Sequence, residues 1–91
     1  MKSIFKVVSC AELQQVPSGK PEGGVINKRN VVLQELGGKF ENTYSVTMLG
    51  NSAQCQLYAN DLVVAALRFM VHEYNGVTYQ DIVMNEFYKL N

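Results

Sequence analysis

Ninety-one residues give room for one domain spanning 1–91, and a hydrophobic fraction of 47% excludes an intrinsically disordered chain. Eight basic residues balance eight acidic ones, which excludes a strongly positive surface. Two cysteines, Cys10 and Cys55, with the single histidine His72, fall short of the roughly four ligands of a structural zinc, so neither a metal nor a cofactor is expected.

The first predicted strand runs from Ser3 to Ala11, with Phe5 and Val7 on one side. Lys6 interrupts its apolar run, so the N-terminus reads as a strand rather than an export signal, and the expected location is the cytoplasm. Residues 17–24 hold both prolines and three glycines, which predicts a flexible loop. A second strand is expected over Asn27–Leu36, followed by a tight connection at Gly37-Gly38. The third runs over Phe40–Leu49, with Tyr44, Val46 and Met48 on one face.

Residues 50–60 break the alternation, and Ala53–Tyr58 predict a helical turn or two capped by Asn51 or Ser52. Leu62–Glu73 is the longest apolar strand. It places Val63, Ala65, Leu67, Phe69 and Val71 on one face, and Val64, Ala66, Arg68, Met70 and His72 on the other. Asn75-Gly76 is the signature of a type I′ hairpin leading into a closing strand over Thr78–Leu90. No stretch approaches the ~20 apolar residues of a membrane-spanning helix. The order strand-strand-strand-helix-strand-strand predicts an all-β fold, a five-stranded Greek-key OB-fold barrel with a short helix between strands three and four. An SH3-like barrel has comparable length but does not readily take residues 50–60 as a helix.

This order, together with three segments, resembles the bacterial single-stranded-DNA-binding (SSB) proteins and their small OB-fold relatives. Tyr44-Ser45-Val46-Thr47-Met48-Leu49-Gly50-Asn51 is similar to that family's third strand. Arg68-Phe69-Met70-Val71-His72-Glu73-Tyr74 is similar to its fourth, and Tyr79-Gln80-Asp81-Ile82-Val83 to its fifth. The chain departs from the family in having no tryptophan, in Leu49 where a stacking phenylalanine is common, and in lacking an acidic tail after the last strand. The resemblance implies single-stranded nucleic acid as partner and a homo-oligomer, dimer or tetramer.

Sequence-tolerant binding of single strands needs flat aromatic faces for bases and cations for phosphates. Tyr44, Tyr74 and Tyr79 fall at or near the family's stacking positions; a tyrosine at a strand end also serves to cover the core with its hydroxyl in water. Arg68 stands alone in an apolar strand, where it contacts phosphate or covers apolar surface with its stem. Lys20, Lys28 and Arg29 supply a basic edge around the Gly/Pro loop. The outward row Val64, Ala66 and Met70 is apolar, as a face between subunits is. Catalysis by His72 needs a Ser, Cys or carboxylate beside it, but the adjacent Glu73 points to the opposite face of the strand, and no paired acids or phosphate loop occur, so an enzyme is not expected. The expected function is single-stranded nucleic-acid binding, with DNA favoured over RNA. The alternative is an OB-type barrel used for protein contacts or oligomerisation with no nucleic-acid role, followed by a barrel that binds carbohydrate or a small molecule.

Overall fold

A computed structural model describes residues 2–17, 23–37 and 40–90. Six strands form one sheet: β1 (Lys2–Cys10), β2 (Gln14–Pro17), β3 (Val25–Glu35), β4 (Thr43–Leu49), β5 (Leu62–Tyr74) and β6 (Val77–Lys89). Their order is β1-β5-β6-β4-β3-β2, and β1 also pairs with β3, so the sheet curls round on itself. The neighbours are antiparallel except β4 and β6, which meet in parallel at Thr47 and Val83. Among the described residues no helix is long and apolar enough to cross a membrane.

β1 makes the closure. Its first half, Lys2 to Lys6, pairs with β5, and Phe5 to Cys10 pair with β3. The register slips at Val8, a bulge of the kind that lets one strand bend from one neighbour to another. Beyond Val7 the opposite edge is taken by the approach to β5. Val7 donates to the Asp61 carbonyl at 2.8 Å and accepts from Asn60 N–H at 2.7 Å.

The interior follows strict alternation: Phe5 and Val7, Val31 and Leu33, Val46 and Met48, then Val63, Ala65 and Leu67, all essentially inaccessible. Met84 joins from β6, and Ala53 and Leu57 cap one end. β6 changes parity on the way. Ala66 faces Glu86 but Leu67 faces Met84, leaving Asn85 as a bulge that turns Phe87, Met84 and Ile82 all toward the core.

Three expectations are corrected. The Gly/Pro segment 17–24 is not wholly loop: Gln14–Pro17 pair with Val25–Lys28, so β2 continues the track of β1 along β3, while residues 18–22 lie outside the described residues. The helix between the third and fourth long strands is a single 3-10 turn over Gly50–Gln54, earlier and tighter than Ala53–Tyr58. Phe40 does not start a strand; it is 95% exposed in the connection before Thr43.

Asn75 and Gly76 both take positive φ, 52° and 77°, as a type I′ turn requires. The β5–β6 hairpin outruns the core. Beyond Leu67, Phe69 and Val71 keep the inward parity expected of them: Phe69 leans edge-on against Tyr44 of β4 and is only partly covered, and Val71 is exposed.

Candidate nucleic-acid interface

Cross-strand pairing fixes which hairpin residues share a face. Arg68 sits opposite Val83, Met70 opposite Asp81, His72 opposite Tyr79 and Tyr74 opposite Val77. Leu67 is buried, so alternation puts these four pairs on the outward side. Tyr74 is 66% and Tyr79 45% exposed. The rings of His72 and Tyr79 stack, with centroids 5.5 Å apart and planes 23° from parallel. His72 Nδ1 lies 3.2 Å from Asp81 Oδ2, close enough for an Nδ1–H to fix the ring's orientation.

The same face drops into a cleft of about 250 Å3 where the hairpin meets β4, β3 and β2. Val16, Leu49, Met70 and Val83 form its apolar walls, and Lys28, Thr47 and Asp81 are its polar groups. Thr47 Oγ1 donates to Asn30 Oδ1 at 3.3 Å. Lys28 pairs across the ladder with Leu49, so both stand at the rim on the side facing the hairpin.

Three of the expected site residues, Arg68 and Tyr74 from β5 and Tyr79 from β6, share the outward face of the hairpin, and Lys28 from β3 lines the cleft into which that face drops. Two do neither. Arg29 is 7% exposed, and its Nε donates to the Ala53 carbonyl at 2.8 Å with Nη1 3.9 Å from Cys10 Sγ. It holds the 3-10 turn against β3 and offers no phosphate contact, which corrects its place among the surface cations. The signal was in the spacing, since Arg29 shares parity with Val31 and Leu33.

Tyr44 is half-buried, edge-on to Phe5 and to Phe69, and its hydroxyl donates to Glu35 Oε1 at 2.6 Å. That hydrogen bond first, and burial second, hold its phenol above the usual tyrosine value. It covers the core, with its ring engaged by Phe5 and Phe69 and its hydroxyl by Glu35. Lys20 lies outside the described residues.

His72 and Asp81 belong to the face without having been read as site residues. Their signal was the Asn-Gly turn, which sets the hairpin register and so places both beside Tyr79. Met70 belongs to the cleft, which separates it from Val64 and Ala66 in the apolar outward row. Cys10 and Cys55 are both free thiols, and Cys55 is exposed. Among the described residues no group of three or more His, Cys, Asp or Glu side chains converges on a metal position.

Compared with protein-family models, with curated proteins and with solved structures, the chain finds no match.

Proposed function

We propose that this chain is an OB-type Greek-key barrel that binds single-stranded nucleic acid, DNA in preference to RNA, on the outward face of the β5–β6 hairpin. The observation that carries the reading is that Arg68, Tyr74 and Tyr79 share the outward face of the hairpin, with Lys28 lining the cleft beside it and Tyr79 stacked on His72. Exposed aromatic rings beside cations are the combination that stacks bases and neutralises phosphates together. A sheet brought round through β1, with a helical turn between β4 and β5, supports the OB assignment. The contacts His72 makes are with Tyr79 and Asp81, so the pair orients a ring and the reading is of a binding protein, not an enzyme.

Fluorescence anisotropy of labelled oligo(dT) of about 20 nucleotides, with duplex as competitor, tests it. Preference for the single strand that weakens with salt is expected. No binding at tens of micromolar protein and low salt, or equal binding to duplex, overturns it.

A second reading, self-association, rests on a different face. Ile4 of β1, Val64 of β5 and Tyr88 of β6 are direct cross-strand neighbours, and Ile4 and Tyr88 are exposed. Three adjacent strands thus present apolar side chains outward, as an interface between copies does. Light scattering at high micromolar concentration should return a mass above 10.2 kDa; a strict monomer removes this reading.

A further inference from the structure

The presence of Asp81 in the cleft is at odds with a surface that meets phosphates alone, because a carboxylate repels them. Its partner His72 takes one lone pair of Oδ2, which leaves Oδ1 and the second lone pair of Oδ2 for further donors. Lys28 lines the same cleft and pairs with no carboxylate among the described residues. A cation, a carboxylate and apolar walls in one small cavity fit a flat ring whose edge carries both an acceptor and donors. The volume of about 250 Å3 lies below the ~300–1,000 Å3 of sites that enclose drug-sized ligands, which suits one ring system rather than an extended molecule.

We infer that this cleft is a single-base pocket selective for guanine, an inference that rests on the nucleic-acid reading above. Guanine carries two adjacent donors, N1–H and N2–H2, beside the O6 acceptor. A carboxylate accepts from both donors at once, and Lys28 donates to O6. Thymine presents one donor flanked by two carbonyls, which face the carboxylate unfavourably. Adenine and cytosine each present an acceptor beside their one amino group. Met70, Leu49, Val16 and Val83 supply the apolar surface against the ring faces. The base enters from the unpaired strand, whose Watson–Crick edge is open to such reading. Tyr79 and His72, one pair further along the ribbon, take the neighbouring base.

The test is anisotropy titration of oligo(dT) of about 12 nucleotides carrying one central dG, deoxyinosine, dA, dC or dT. The dG strand should bind about tenfold tighter than the dT strand, within the range of one good bidentate contact. Deoxyinosine, which lacks the 2-amino group, should fall between them. Asp81→Asn should reduce the dG/dT ratio to near one. Glu73→Gln makes the same change of charge on the opposite face of the hairpin, where Glu73 pairs with Thr78, and should keep the wild-type ratio. Equal affinity for all five strands overturns the guanine pocket and leaves the stacking surface standing. An unchanged ratio in Asp81→Asn, or a ratio lost equally in Glu73→Gln, also overturns it. Failure of every strand to bind removes both the pocket and the nucleic-acid reading.

Discussion

Lys28 and Arg29 are neighbours in the chain and point to opposite sides of β3, so one amide separates a cleft cation from an interior strut. Replacing Arg29 by Met keeps the apolar bulk of its stem but strips the Ala53 carbonyl of its donor. An unsatisfied buried acceptor costs about 1–3 kcal/mol. The denaturation midpoint of Arg29→Met should fall accordingly, with oligo(dT) affinity per folded molecule unchanged; lost binding at full stability would put Arg29 back on the surface. Tyr44 gives a second interior test. Its phenol titrates above the usual 10.0 because the folded state holds the proton toward Glu35. The unfolded chain therefore ionises first as pH rises, and the contribution present below pH 10 is lost above it. The stability advantage of wild type over Tyr44→Phe should shrink in denaturation curves taken through that range; a constant gap would mean the hydroxyl does not feel Glu35. At this scale period-two parity was legible in the sequence, and it places Arg29 with Val31 and Leu33. A tyrosine's choice between base and core was not, because Tyr44 is turned inward by Phe5 and Phe69, which come from β1 and β5.

The hairpin is the element on which binding depends, and it is held by its register more than by burial. From Val71 to Gln80 every residue is exposed. Gly76 has φ of 77° with open space where a Cβ would stand, so Gly76→Ala meets backbone strain alone, about 1 kcal/mol. That strain falls where the ribbon carries little of the fold's stability. The melting temperature should move little, while oligo(dT) affinity drops as Tyr74 and Tyr79 lose their alignment. A melting transition that shifts as much as binding would show the hairpin to be part of the cooperative core. Removing one ring outright, in Tyr79→Ala, should weaken binding by about 1–3 kcal/mol in the same titration. The Asn-Gly turn and the long strands on either side of it were legible because turn chemistry and alternation agree over many residues. β2 was not, since four residues ending in Pro17 carry no pattern of their own and are held in place by β3. Nor was the bulge at Asn85, which reverses parity within an unbroken strand and is fixed by where Met84 and Phe87 find the core. The 3-10 turn follows the same rule: five residues cannot sustain an α-helix, and Arg29 anchors them from another strand.

At the scale of the molecule, balanced charge limits what any phosphate-binding surface here achieves. With no net charge there is no long-range attraction to a polyanion, so association falls in the unsteered range of about 10⁵–10⁶ M⁻¹s⁻¹. Two stacked bases contribute about 2–6 kcal/mol, which alone corresponds to a dissociation constant well above 1 μM. One chain is thus a weak binder, and the exposed row Ile4, Val64 and Tyr88 gains meaning in that light. Association of copies would add hairpins to one strand and multiply affinity without new contacts. The salt dependence separates the two contributions. Lys28 and Arg68 are the cations of the described face, and neutralising about two phosphates of a single strand gives a slope of log affinity against log salt near −1.4 per chain. Lys28→Ala or Arg68→Ala should each reduce the slope by about 0.7, and the double variant should bind weakly with almost no salt dependence, by stacking alone. A wild-type slope several times steeper, measured in anisotropy titrations between about 50 and 200 mM salt, would mean that phosphates are met by a different set of cations and that the hairpin face is not the site.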